Sequence, residues 1–299
     1  MSALPTSSPN TSKAHAANGR HPGRQAARLK ALGAFLTLCV GALLFSIPFF
    51  WTISTALKTN QQAFAFPPQW IPNPIQWQNF RQAWTDLPFP TFVSNTVFIT
   101  FVAVIGQVSS ASLVAYGFAR FQFPGRNVLF MLLLSTMMLP PQVTMIPVFL
   151  IWRELRLIDT FAPLTVPFYF GGGAFTIFLL RQFFMTIPRE LDEAAMIDGA
   201  DPFGIWWRIL LPLSRPALVT VLLFSFLGHW DDFMGPLIYL NSMERYTVSI
   251  GLRMFQDMFG TQLELLMAAS LIHIIPTVVL FFIAQKQFIK GIALTGLKG

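Results

Sequence analysis

The residues that could do chemistry in this chain are few and scattered. Of the four histidines, His15 and His21 fall in a polar N-terminal stretch and His229 and His273 in separate apolar runs, with no pair at i and i+3 or i+4. A metal site needs several convergent ligands, so none is expected. The single cysteine, Cys39, sits inside an apolar run, which leaves neither a disulfide framework nor a thiol cluster. No GxSxG setting joins serine, histidine and carboxylate as in a hydrolase, and no GxxxxGK[ST] loop is present to cradle ATP phosphates. The glycine run Gly171, Gly172 and Gly173 lies in apolar sequence and reads as part of a helix, permitting close packing or a bend. No catalytic residue is expected, and the chain does not read as an enzyme.

Two acidic constellations remain. Asp231 and Asp232 follow Pro216 by about 15 residues, roughly 22 Å along a helix, which places them in the outer part of a hydrocarbon layer about 30 Å thick. Ionisable groups at such depth mark a pathway or a pairing partner, and Gly235-Pro236 just beyond should break the helix. Trp230 precedes them. In an earlier apolar run Pro140 and Pro141 stand beside Gln142, and backbone freed there must face protein or water. Trp230, Asp231, Asp232 and Gln142 are therefore the candidates for a translocation path. The rival for the two aspartates is a snorkelling pair at the outer interface.

The second constellation is ELDEAAMIDGADPFGIWWRILLP, from Glu190 to Pro212. Pro188 suits a helix start, and Glu190, Asp192 and Glu193 favour the positive end of the helix dipole. Gly199 can stop that helix, Asp201 is an N-cap for a second, Pro202 fits its first turn and Pro212 should close it. Phe203, Trp206, Trp207 and Leu210 then fall at i, i+3, i+4 and i+7, an apolar stripe on a segment too short to cross a bilayer. Such a stripe wants a partner protein, or else a bed of lipid headgroups.

Positioning these groups falls to apolar helices. Hydrophobic residues make up 54% of the 299, and charged residues only 11%, so the chain belongs to the membrane class. Six spans are expected, at about 31–56, 92–118, 127–151, 161–184, 216–240 and 263–285. Residues 1–30 read as a disordered basic tail, 31–290 as the transmembrane domain with the loop at 186–216, and 291–299 as a second tail. Prolines interleaved with Trp70, Trp77 and Trp84 suit residues 57–91 to the water–lipid interface. Fourteen of the 20 Lys and Arg fall on the side of the termini in this topology, which puts both termini and the loop in the cytoplasm. The net charge of +7 is explained by that orientation; no basic run interleaved with aromatics calls for nucleic acid.

The loop also carries a resemblance. Glu193-Ala194-Ala195, then Gly199 after three residues, then Ile209, Leu211 and Pro212, is similar at every fixed position to the EAA loop of ABC-importer permeases. GGGAFTIFLLRQFF (171–184), HWDDFMGPLIYL (229–240), YTVSIGLRMF (246–255) and GIALTGLKG (291–299) resemble the carbohydrate-uptake branch, the maltose-type second permease subunit. The resemblance implies an all-helical permease fold of the prokaryotic inner membrane and a short coupling helix docked on an ABC ATPase dimer. It further implies a second, different permease and an extracytoplasmic sugar-binding protein. Glu193, Ala194, Ala195 and Gly199 would shape the docking surface, with Phe203 and Trp206 as anchors; ATP and Mg would be held by the ATPase, with no cofactor here. Where the family often reads Trp-Asn-Asp/Glu-Phe, this chain has Trp230, Asp231, Asp232 and Phe233, so an acid replaces the Asn. A proton- or ion-coupled carrier using Asp231 and Asp232, or an importer of a polyol or glycerol phosphate, are the rival expectations.

Overall fold

The computed structural model describes residues 23–257 and 260–296. The first 22 residues of the expected tail, with His15 and His21, and the last three, with Lys298, lie outside the described residues. Of the described residues, those up to Phe50 form one unit and those from Trp51 onward another. α1, Gly23–Ala56, supplies the described residues of the first unit up to Phe50 and takes in the last eight residues of the expected tail. The expected boundary rests on charge, whereas Gln25, Ala26, Ala27, Arg28 and Leu29 are all good helix formers with no breaker among them.

In the second unit, Thr59 and Gln62 form a reciprocal capping box at the start of α2, Asn60–Ala63. α3, Gln78–Thr85, buries Asn79, whose amide donates to the Ala56 and Lys58 carbonyls at 2.9 and 2.7 Å. α4, Phe89–Arg120, is the 32-residue post around which the unit packs. Its buried face carries Ala103, Gly106, Ala111, Ser112, Ala115 and Ala119, small residues that let neighbouring backbones approach. α5, Arg126–Ser135, leaves a left-handed Gly125, and after a short 3-10 turn and Pro140 comes α6, Pro141–Glu154. The two helices meet at 100°, with the break at the proline pair where it is expected.

The fourth apolar segment, Ala162–Thr186, departs from the sequence expectation. α7, Ala162–Thr165, gives way to a 3-10 turn, and α8, Ala174–Thr186, starts only after the three glycines. Gly171, Gly172 and Gly173 have φ of 109°, 63° and 87°, values a right-handed helix excludes. At Gly172 a Cβ would also lie 2.7 Å from that of Ala111, so the run breaks the helix and brings it close against α4.

Next come the loop helices α9, Glu190–Ile197, and α10, Pro202–Ile205; a π turn over Trp206–Leu210 leads into α11, Leu211–Leu213. α12, Arg215–Trp230, and α13, Met234–Tyr239, make the fifth segment, and α14, Val248–Asp257, leads to α15, Leu263–Gly296. α15 extends into the expected C-terminal tail because residues 286–296 contain no proline. The structure is all-helical, with no strand among the described residues. Among the described residues four segments are long and apolar enough to span a membrane, and the count rises to as many as six if each of two bent pairs is one span. α12 alone has 16 residues, short of the roughly 20 that a spanning helix needs.

Among the described residues two larger apolar cores result, with a smaller one of Ile99, Leu164 and Leu240. One joins α4, α8 and α12 to the loop helices through Ala115, Leu180, Phe184, Ala195, Ile205 and Val221. The other packs Phe89 and Phe92 of α4 with Phe255 of α14 and Leu265 and Ala268 of α15.

Candidate coupling loop and translocation path

Local chemistry explains the shape of the loop. The carboxylates of Glu190, Asp192 and Glu193 occupy the first turn of α9. Its end is a Schellman motif: Ala200 N donates to Ala195 O at 2.9 Å and Gly199 N to Met196 O at 3.0 Å. Gly199 holds the left-handed position with φ of 83°. Asp201 then caps α10, its Oδ1 accepting from Gly204 N at 3.1 Å, with Pro202 at the first helical position.

Pro212, expected to end the segment, lies within α11. The π turn before it accommodates the proline: Leu211 N bonds Trp206 O, five residues back, and the ladder widens where Pro212 supplies no donor. The same turn alters the expected stripe. Trp206 and Leu210 are 4% and 0% exposed and join Ile205 in this chain's own core, whereas Phe203 and Trp207 remain 59% and 60% exposed. The stripe assumes 3.6 residues per turn, and the π turn splits it into an inner and an outer pair. Trp206 is thus a core residue rather than a free anchor. Phe203, Trp207, Met196 and Ile197 form the exposed apolar set, next to exposed Glu193, Ala194 and Gly199, while Ala195 is buried.

The loop is fastened to α4 by contacts that the motif does not reveal. Arg120 Nε lies 2.8 Å from Asp192 Oδ2, and both side chains are less than a tenth exposed. The contact is an ion pair rather than an aligned hydrogen bond, and Asp192 Oδ1 has no hydrogen-bond partner among the described residues. Burial pushes the Asp192 carboxyl above its usual range, with Arg120 pulling the other way. Arg120 Nη2 also donates to Ile187 O at 3.1 Å, and Arg189 Nη2 to Ala119 O at 3.3 Å. The available signal was a basic residue closing a long apolar run, but nothing in the spacing paired it with Asp192.

The path candidates separate into two pairs. Gln142 and Asp232 line one cavity of about 360 Å³, with Thr144, Met145 and Tyr239 among its other walls. Asp232 Oδ1 accepts from Gly235 N at 3.1 Å, so the helix breaks at Asp231–Phe233 rather than at Gly235-Pro236. Pro236 sits in the first turn of α13, where a missing donor is tolerated. Asp231 and Trp230 instead bind α15: His273 Nε2 lies 3.0 Å from Asp231 Oδ1, and Trp230, 3% exposed, donates to His273 O at 3.1 Å while stacking on that imidazole.

His229, passed over by the sequence reading, is 2.8 Å from Gln107 Oε1. Gln107 Nε2 in turn donates to Thr176 Oγ1 at 3.1 Å, a polar chain linking α12, α4 and α8. No group of His, Cys, Asp and Glu among the described residues is arranged to hold a metal ion. At the opposite end of the bundle, Asp159 Oδ1 accepts from the backbone of Asn241 and Ser242 at 2.9 and 3.0 Å, clamping the loop before α7 to the loop after α13.

Apolar helices broken around a cavity that sets Gln142, Thr144 and Asp232 among apolar walls, with a two-helix loop presenting apolar side chains at one end, define a membrane transport permease rather than an enzyme. The chain belongs to the family of binding-protein-dependent transport system inner membrane components, whose model matches residues 107–293. It is 34% identical over 269 residues to the probable ABC transporter permease protein YurM of Bacillus subtilis (strain 168), covering 89% of this chain and 87% of that protein. Similarity to the sn-glycerol-3-phosphate transport system permease protein UgpE of Yersinia pestis is 33% over 265 residues, covering 86% and 94%. The arabinooligosaccharides transport system permease protein AraQ of Bacillus subtilis (strain 168) is 32% identical over 262 residues, covering 86% and 92%. Among solved structures, a chain of a bacterial ABC transporter involved in the import of the acidic polysaccharide alginate superposes with a TM-score of 0.76. It is 23% identical and covers 93% of this chain and 99% of that one, which establishes the shared fold.

Proposed function

We propose that this chain is one of two different permease subunits of an ATP-driven importer that carries a sugar from an extracytoplasmic binding protein into the cytoplasm. The loop and both termini face the cytoplasm in this reading. The observation that carries it is the exposed set Met196, Ile197, Phe203 and Trp207 on a loop locked to α4 by the buried Arg120–Asp192 pair. A rigid lever with an apolar tip suits transmission of movement from an ATPase dimer, which would hold the ATP and Mg. Closure of that dimer would favour the outward-open cavity, and hydrolysis would restore the inward-open one.

Asp232 and Gln142 line this subunit's half of the path, with Trp230 and Asp231 supporting them through α15. Among the described residues the cavity wall carries a single carboxylate and no Lys or Arg, which favours an uncharged glycan over a phosphorylated polyol. Uptake into vesicles carrying the assembled importer tests the reading. Transport should need ATP and the binding protein, and should persist when the proton gradient is collapsed. Uptake driven by a proton gradient without ATP would establish a secondary carrier instead.

A further inference from the structure

Four arginines converge at the end of the bundle that carries the loop. Arg120 ends α4, Arg126 opens α5, Arg181 lies five residues before the end of α8 and Arg189 precedes α9. Together with Phe118 and Met185 they line a cavity of about 120 Å³. Of the four, only Arg120 has a carboxylate, that of Asp192, at ion-pair distance among the described residues. The others are held in place by neutral groups: Arg126 Nη1 donates to Phe121 O at 3.2 Å, and Arg181 Nε to Phe118 O at 3.4 Å. Arg189 reaches the Ala119 carbonyl, and the Arg181 guanidinium sits 4.1 Å from the centre of the Phe130 ring. Each guanidinium has five donors, so most remain available.

Four like charges around one small cavity, only one of them with a carboxylate at ion-pair distance, repel one another unless an anion joins them. Guanidinium forks match phosphate oxygens. The volume is well under the roughly 300–1,000 Å³ of small-molecule sites, so it admits a charged group rather than a nucleotide or an oligosaccharide. Arg181 lies about 7.5 Å inside the end of its helix, the depth at which headgroups meet acyl chains. We propose that this cavity is a phosphate site, filled by the phosphodiester of an anionic membrane lipid, which ties the ends of α4, α5 and α8 together beside the coupling loop. It is independent of what the path carries.

The test uses the assembled importer in nanodiscs of phosphatidylcholine, with or without phosphatidylglycerol, reading retained lipid by native mass spectrometry and the melting temperature alongside. The variant is Arg126→Gln with Arg181→Gln, which leaves Arg120 on Asp192. Each arginine near an anionic headgroup is worth about a fivefold factor, so the double variant should retain phosphatidylglycerol about 25-fold less well while melting with wild type in pure phosphatidylcholine. If the double variant does not assemble, Arg126→Gln alone should show about a fivefold loss. Equal retention of phosphatidylglycerol by wild type and variant, with inorganic phosphate protecting wild type alone in pure phosphatidylcholine, would keep the phosphate site and overturn its lipid source. Equal retention by wild type and variant, with no effect of inorganic phosphate, would overturn the proposal.

Discussion

Asp192, the acid two turns before Gly199, is buried against Arg120, with Oδ2 2.8 Å from Nε, so the loop's most enclosed carboxylate points into the bundle and not at a partner. Removing one member of a buried pair strands the other charge, which costs about 3–5 kcal/mol. Arg120→Gln should therefore lower the melting temperature and uncouple ATPase activity from uptake. Arg120→Leu with Asp192→Leu should recover most of the melting temperature. A melting series of wild type, both single variants and the double variant reads this directly.

The same pair predicts a pH dependence. Because the folded Asp192 carboxyl titrates above its unfolded value, the folded state holds this proton more tightly. Its contribution to stability is present below the unfolded value, near 4, and is lost as pH rises through the raised folded value. Asp192→Asn should remove that slope. An unchanged slope in the Asn variant would assign it to other groups.

Gly199 should tolerate no side chain without strain. Space around it is open, so Gly199→Ala tests conformation alone, and the left-handed φ of 83° should make it about 1–2 kcal/mol less stable. ATP-driven uptake should fall while insertion is unchanged. Wild-type uptake by Gly199→Ala would show that the bend has no role in coupling.

The two loop tryptophans should separate packing from docking. Trp206→Ala removes a core side chain and should cost about 3–5 kcal/mol. Trp207→Ala, at a 60% exposed position, should leave the melting temperature within about a degree or two yet weaken recovery of the ATPase with the permease. Equal loss of stability in both would show that Trp207 packs on its own chain.

Asp232→Asn should reduce substrate-stimulated ATPase activity with the complex intact, because Asp232 lines the cavity. Asp231→Asn should be milder in uptake, since Asp231 faces His273. If Asp231→Asn alone abolished uptake, the division of the two carboxylates would be wrong.

Much of this architecture is legible in the sequence wherever one residue type fixes a local geometry. Gly199, Asp201 and Pro202 specify a helix stop, a cap and a first turn, and the Pro140-Pro141 pair specifies a break, each through its own backbone chemistry. What sequence does not show is register across contacts. Whether Trp206 or Trp207 is buried depends on a π turn, whether Asp231 or Asp232 faces the cavity depends on where the helix stops, and the Arg120–Asp192 pair joins residues 72 positions apart. The glycine run misled because small residues within a helix and glycines at positive φ have the same composition.

The most direct test of the coupling claim is a photo-crosslinker at Ile197, the 87% exposed residue at the tip of α9, in the assembled importer. The account predicts adducts with the ATPase subunit, with a pattern that changes between nucleotide-free and ATP-trapped states. Adducts confined to lipid, or none with the ATPase in either state, would contradict it.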